Sequence, residues 1–186
     1  MGFENVPPAD EWEIRNVKDL VESRAADLGE APLVHYDDEA YSYAEVNRQA
    51  NAVADSLAAD GVEQGDNVCA FLHNCPEYLA LWFGVNKLGA TLVPVNVSLK
   101  ADGLSYLVND SDAEHVVLEG ETRENYETAR DDLDAVSQEY LLDGEGGSGY
   151  EPFADLLAGD GATNPDVSVE PDDPACIIYT SGTTGL

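Results

Sequence analysis

Basic side chains are scarce in this sequence. Only 8 Lys and Arg residues stand against 38 Asp and Glu residues in 186 positions, and the net charge is −30. The acids are spread along the whole chain, which indicates an acidic surface and not a single acidic tail. Such a surface repels nucleic acid and anionic lipid, so we exclude both as general partners. Hydrophobic residues make up 44% of the chain, enough for one compact domain with a core and too many for a disordered acidic segment.

Cysteine and long apolar runs are scarce as well. The three cysteines, Cys69, Cys75 and Cys176, are odd in number and lack a CxxC spacing. This pattern excludes a disulfide framework and a zinc site, and it favours small buried residues in a reducing compartment. The acidic N-terminus lacks the apolar core of a signal peptide, and no stretch has the apolar length of a membrane span. We therefore expect a cytoplasmic protein.

Helical and strand-like patterns alternate along the chain. Hydrophobic spacing, caps and glycine stops predict helices, and short β-branched runs predict strands. Strands that alternate with helices are typical of a mostly parallel α/β sheet flanked by helices. The expected helices are 16–28, 43–60, 76–88, 104–108, 121–135 and 153–157, and the expected strands are 68–72, 91–95, 115–118, 139–142 and 175–179, with a separate hairpin at 32–36 and 40–42.

The last predicted strand leads into a run of hydroxyl-bearing residues and glycines, in the sequence IIYTSGTTGL at 177–186. Gly and Ser/Thr residues after a buried strand can form a concave nest, whose backbone N–H groups and hydroxyls suit phosphate oxygens. An exposed Ser/Thr/Gly turn is the alternative. The common Gly-x-x-x-x-Gly-Lys-Ser/Thr loop is excluded because this run contains no Lys.

The segment Tyr179–Gly185, YTSGTTG, resembles the signature loop of the AMP-forming adenylating enzymes, a superfamily that includes acyl-CoA synthetases. Two upstream blocks are similar to the same family: YSYAEVN at 41–47, and NCPEYL at 74–79 with its continuation to VPVN at 93–96. The likeness extends from about residue 16 to the end. Within the block at 74–96, NCPE at 74–77 and WFG at 82–84 resemble the fatty-acyl and carnitine/crotonobetaine-CoA ligase branch most.

The resemblance implies part of the large N-terminal, AMP-binding domain of an acyl-adenylate-forming enzyme over residues 1–186. A carboxylate would attack the α-phosphorus of ATP to give an acyl-adenylate and pyrophosphate, and coenzyme A would then take the acyl group. The resemblance also implies that the loop binds the β- and γ-phosphates and that Thr180 contacts Mg²⁺. The resemblance implies no catalytic residue within this chain. The expected phosphate-binding residues are Thr180, Ser181, Gly182, Thr183, Thr184 and Gly185.

The acidic residues that precede the loop in the sequence oppose nucleotide binding by this chain alone. From Asp131 to Leu186 there are 13 acids and no Lys or Arg, so only dipoles would hold a tetra-anionic nucleotide. The resemblance also implies that the remainder of the N-terminal domain and the C-terminal domain are not among these residues, so we expect the isolated chain to be inactive. Two alternatives stay open: a non-enzymatic nucleotide- or phosphate-binding module, and a structural remnant that acts with a separate partner chain.

From the acidic surface we predict that the protein comes from a halophile. Self-repulsion among the acids falls when salt shortens the screening length, which is about 10 Å at 0.1 M and about 3 Å at 1 M. We expect the thermal unfolding temperature to rise steadily between 0.1 M and 3 M KCl. Circular dichroism measures it, and a fully folded, stable protein in dilute buffer without salt or ligand would contradict the halophile hypothesis.

Overall fold

Seven strands and six helices alternate in the part of the chain that this computed structural model describes, residues 14–143 and 149–180. None of these helices is long and apolar enough to cross a membrane. In chain order the elements are α1 Val17–Leu28, β1 Pro32–Tyr36, β2 Glu39–Ser42, α2 Tyr43–Ala59, β3 Asn67–Phe71, α3 Pro76–Lys87, β4 Thr91–Pro94, α4 Ala101–Asp110, β5 His115–Leu118, α5 Gly120–Glu127, β6 Gln138–Leu141, β7 Glu151–Pro152 and α6 Phe153–Leu156.

Five strands form one parallel sheet in the order β4-β3-β5-β6-β7, and β1 and β2 form a separate antiparallel hairpin. The register pairs Val68 of β3 with Leu92 of β4 on one side and with His115 of β5 on the other. The predicted mostly parallel α/β sheet is confirmed. Because all five strands run the same way, their carboxyl ends lie along one edge of the sheet.

Both faces of the sheet are covered by helices. Alternate residues of β3 enter different core clusters: Val68 and Ala70 pack with α2, α3 and α6, whereas Cys69 and Phe71 pack with α4 and α5. This alternation follows from the two-residue period of a strand. Helix α1 adds a further layer outside α2 and α3.

The helix starts follow local capping chemistry. Asn16 Oδ1 accepts the backbone N–H of Asp19 at 2.7 Å, and Ser42 Oγ accepts that of Glu45 at 3.1 Å. Each contact satisfies one of the free N–H groups of a helix start. Pro76 takes the first position of α3, where its missing N–H costs nothing. These signals explain why the predicted bounds of α1, α2 and α3 agree closely with the structure.

The prediction and the structure differ at four elements. The helix expected over 121–135 ends at Glu127 and is followed by a short 3₁₀ turn, Arg130–Asp132. Acidic residues oppose the negative end of the helix dipole there. Helix α4 is longer than the predicted 104–108, and β7 was not predicted. The strand expected over 175–179 is reduced to one bridge, between Leu92 and Cys176, because only β4 pairs with it among the described residues.

Helices α2 and α3 touch at Gly84, which lies in the middle of α3. A Cβ atom at this position would lie 2.7 Å from Val53 Cγ1 and 2.9 Å from the backbone oxygen of Ala50. Both neighbours belong to α2 and are fully buried. The absent side chain of Gly84 therefore sets the distance between the two helices.

We expect Gly84→Ala to lower the free energy of unfolding by about 1–3 kcal/mol, because the helices must separate to admit the methyl group. Gly103→Ala in α4 is the matched control, since its nearest heavy atom would be Leu99 Cδ2 at 3.6 Å. The control should raise stability by up to about 1 kcal/mol through helix propensity. Urea denaturation measures both variants, and equal stabilisation by the two would show that the α2–α3 contact is not tight.

Candidate functional site

The carboxyl edge of the parallel sheet is where open α/β sheets bind ligands. Four polar residues follow the strands at this edge: His73 after β3, Asn96 after β4, Glu119 after β5 and Asp143 after β6. His73 is exposed, whereas Glu119 is only 7% exposed. The strand register therefore brings polar groups to one edge from positions far apart in sequence.

Glu119 joins the ends of β3 and β5. Its Oε1 atom accepts the backbone N–H of His73 at 3.0 Å and also contacts His73 Nδ1. The same carboxylate belongs to the capping box of α5 with Thr122, whose hydroxyl donates to the backbone oxygen of Phe71 at 2.8 Å. These contacts give His73 a structural partner. The pattern HVVLE contained no signal for Glu119, because a lone acid after a strand is ordinarily solvated.

The segment 175–177 runs beside β4 in the parallel direction. The backbone N–H of Leu92 donates to the oxygen of Ala175 at 3.2 Å, and the N–H of Ile177 donates to the oxygen of Leu92 at 2.9 Å. Ile177 and Tyr179 pack against the cluster under α4 and α5, and Ile178 is 72% exposed. This direction carries the chain toward the carboxyl edge of the sheet and leaves the Ile178 side chain exposed.

Thr180 is the one residue of the predicted phosphate loop within the described residues, and its side chain is exposed. Its hydroxyl is therefore accessible to a ligand, as the proposed contact with Mg²⁺ requires. The other five residues, Ser181, Gly182, Thr183, Thr184 and Gly185, lie outside the described residues. Within 14–143 and 149–180 no group of three or more His, Cys, Asp and Glu side chains could hold a metal ion.

An extended segment, 157–174, connects α6 to the segment beside β4. It contains no helix or strand, and amide side chains from earlier in the chain hold its backbone. Asn16 Nδ2 donates to Val169 O at 2.7 Å, Asn51 Nδ2 to Gly161 O at 3.0 Å, and Gln64 Nε2 to Ser168 O at 3.0 Å. These partners satisfy backbone groups that a sheet would otherwise pair. Sequence reasoning missed this role, since each Asn or Gln lies far from its partner.

Asn86 connects α3 to Ala175, where the segment beside β4 begins. This side chain in α3 is 3% exposed, and its Nδ2 donates to Ala175 O at 2.8 Å and to Ala90 O at 3.1 Å. Thr91 Oγ1 donates to the neighbouring Pro174 O at 3.2 Å. Asn86 and Thr91 thus fix the point from which the chain runs to Thr180.

Lys87, next to Asn86, is fully buried and is not available to a nucleotide. Its ammonium donates to Glu22 Oε1 at 2.9 Å and to Asn164 Oδ1 at 3.2 Å. Burial lowers the pKa of Lys87, and the hydrogen bond and charge of Glu22 act in the opposite direction. These hydrogen bonds link α3 to α1 through Glu22 and to the extended segment through Asn164, so Lys87 has a structural role.

The parallel sheet with helices on both faces is the architecture of the N-terminal domain of acyl-CoA ligases. The inhibitor-bound N-terminal domain of FACL13 from Mycobacterium tuberculosis superimposes with a TM-score of 0.80 at 30% identity, over 92% of this chain and 42% of that one. The anthranilate CoA ligase AuaEII in complex with anthranoyl-AMP shares the fold with a TM-score of 0.89 at 24% identity, over 96% of this chain and 35% of that one.

The profile of the AMP-binding enzyme family matches residues 21–186, and the chain belongs to this family. The crotonobetaine/carnitine–CoA ligase of Citrobacter koseri is 34% identical over 150 residues, which are 77% of this chain and 29% of that protein. The Salmonella typhimurium protein of the same name is 33% identical over the same shares. The chain thus covers less than a third of the length of these relatives.

We expect Asn86→Ala to lower the free energy of unfolding by about 1–3 kcal/mol, because two backbone oxygens lose a donor at a buried site. Asn109→Ala is the control, since Asn109 donates to Asp132 O and accepts the N–H of Asp134 on the exposed surface, where water can replace both bonds. Urea denaturation gives the two losses. Hydrogen exchange should show the Ile177 amide losing protection in Asn86→Ala, and equal losses in both variants would contradict the assignment.

Proposed function

We propose that these residues are the N-terminal part of an ATP-dependent, AMP-forming acid–thiol ligase. The observation that carries the proposal is the motif at Thr180–Gly185, which follows a segment held beside β4 and directed toward the carboxyl edge of the sheet. Membership of the AMP-binding enzyme family supports the nucleotide, and the acyl-CoA ligase fold supports the thiol acceptor. Since the relatives are much longer, the activity belongs to a ligase of full length and not to these 186 residues.

In the proposed reaction, a carboxylate oxygen attacks the α-phosphorus of ATP, and the bond between that phosphorus and the bridging oxygen to the β-phosphorus breaks. Pyrophosphate leaves with the bonding electrons. The coenzyme A thiol then attacks the acyl carbon and releases AMP. The proposed role of the loop is to donate hydrogen bonds to the β- and γ-phosphates as charge accumulates on pyrophosphate. Mg²⁺ would neutralise phosphate charge, with the Thr180 hydroxyl as a ligand from this chain.

We propose only the chemical class of the carboxylic acid substrate. The motifs NCPE at 74–77 and WFG at 82–84 favour the fatty-acyl or carnitine/crotonobetaine branch, and relatives carry the second of these names. Three free thiols favour a reducing, cytoplasmic compartment. The ion pairs support a high-salt cytoplasm. Among the described residues, five of the eight basic side chains pair with four acids, Glu22, Asp27, Glu127 and Glu139. Most of the 38 acids therefore depend on dissolved salt for screening.

The deciding experiment combines the intact mass of the protein from its native cells with an ATP–pyrophosphate exchange assay. We expect a mass well above the 19.9 kDa of these residues, and exchange that depends on an added carboxylic acid. The recombinant 186-residue chain should show no exchange with any acid, because the sequence from Asp131 to Leu186 supplies no Lys or Arg to hold the nucleotide. Robust exchange by the recombinant chain would contradict this proposal.

A titration with MgATP separates an inactive fragment from a nucleotide-binding module. Saturable binding by the 186-residue chain that disappears in Gly182→Trp would favour the module, because the large side chain blocks the nest. If the native product has a mass of 19.9 kDa and binds no MgATP, co-purification with a partner chain becomes the test of the remaining alternative.

A further inference from the structure

The backbone pairing between segment 175–177 and β4 stops at Ile177. The N–H of Ile177 donates to the oxygen of Leu92 at 2.9 Å. The next bond of a parallel ladder would run from the N–H of Pro94 to the oxygen of Ile177, but proline has no N–H. Residues 178–180 make no backbone–backbone hydrogen bond with any other described residue. The chain therefore reaches the predicted phosphate loop without further support from the sheet backbone.

The side chain of Tyr179 attaches this part of the chain to the rest of the fold. Its ring packs against the cluster under α4 and α5, and its hydroxyl donates to Asp110 Oδ2 at 2.8 Å. Burial, followed by the hydrogen bond to Asp110, raises the pKa of Tyr179 to about 12, so the phenol keeps the proton that it donates. Within the described part of the chain, this is the last hydrogen bond before Thr180.

Asp110 is the last residue of α4, and bonds on both sides of it fix its position. Asn109 Nδ2 donates to Asp132 O at 2.8 Å. Asn67 Nδ2, at the start of β3, donates to Ser111 O at 2.8 Å. These bonds connect the end of α4 to the interior of the sheet and to the turn that follows α5. Asp110 is therefore a fixed acceptor for the Tyr179 hydroxyl.

Tyr179 and Thr180 present their side chains in opposite directions. Ile177 and Tyr179 pack toward the cluster under α4 and α5, whereas Ile178 and Thr180 are exposed. This is the two-residue alternation of an extended chain. Holding Tyr179 on the inner side therefore directs the Thr180 hydroxyl outward, and the peptide bond between the two residues transmits any shift of Tyr179 to the loop.

We propose that the hydrogen bond between Tyr179 and Asp110 positions the phosphate loop, which makes Tyr179 a positioning residue for the nucleotide. The inference rests on the proposed nucleotide-binding function of the loop. Without the hydroxyl, the ring still packs, but the start of the loop can shift, and its contacts with the β- and γ-phosphates weaken. Binding of the AMP part of the nucleotide does not use these contacts and is unaffected.

The test is nucleotide binding by the full-length ligase, produced from the native gene and measured by isothermal titration calorimetry in concentrated KCl. We expect Tyr179→Phe to weaken MgATP binding at least threefold and to change AMP binding less than twofold. Tyr41→Phe is the matched control, because the Tyr41 hydroxyl donates in the same way to Glu39 Oε2 at 2.8 Å, in the hairpin. The control should leave both affinities unchanged.

Variants of Asp110 separate the hydrogen bond from the charge of the carboxylate. Asp110→Ala removes the acceptor and also a negative charge, and the loss of that charge by itself favours nucleotide binding. A double-mutant cycle with Tyr179→Phe cancels the effect of charge. We expect a coupling of at least threefold between the two positions for MgATP and none for AMP. Asp110→Asn keeps an acceptor oxygen and should retain most of the MgATP affinity.

Two results would overturn the positioning role while the proposed function stands. Equal MgATP affinity in the unaltered protein and in Tyr179→Phe would show that the loop is positioned without the hydroxyl. Equal weakening of MgATP and AMP binding, or a lower thermal unfolding temperature than that of Tyr41→Phe, would identify a general structural role. If the unaltered full-length protein binds no MgATP, the proposed function itself fails, and the positioning role fails with it.

Discussion

The close approach of α3 to α2 at Gly84 governs the position of the other parts of this molecule. Helix α3 makes two further contacts near that point: the Asn86 side chain donates to Ala175 O, and Lys87 pairs with Glu22 of α1. Since a helix is a rigid element, a shift at Gly84 moves both contacts together. The contact between the two helices thus sets the path of the segment that leads to Thr180.

Local sequence signals were sufficient to predict most of the helices and strands. The cap at Ser42 and the proline at position 76 predicted helix starts to within a residue, because each acts on backbone groups a few positions away. The strand over 175–179 was predicted from its apolar, β-branched residues. A strand forms only beside neighbouring strands, and the residue pattern does not show how many neighbours it has. Among the described residues it has β4 alone on one side, so a single bridge forms.

The site was harder to predict than the fold. The motif from Thr180 identified the family. The contacts of Asn86 and Thr91 with Ala175 and Pro174, just before the motif, could not be predicted, because isolated polar residues in a helix or strand are ordinarily solvated. Glu119 was missed for the same reason. Such residues acquire their role only when the register of the sheet and the path of the extended segment are known.

The amide side chains that hold segment 157–174 also have a consequence for the order of folding. Asn16 and Val169 are 153 positions apart, and Asn86 and Ala175 are 89 positions apart. Contacts over such separations form late, because the chain must first close a long loop. On the ribosome, the α2–α3 layer can assemble while the later segment is still being made, and domains usually fold in that direction. The residues that lead to the phosphate loop would then dock last, onto a surface already complete.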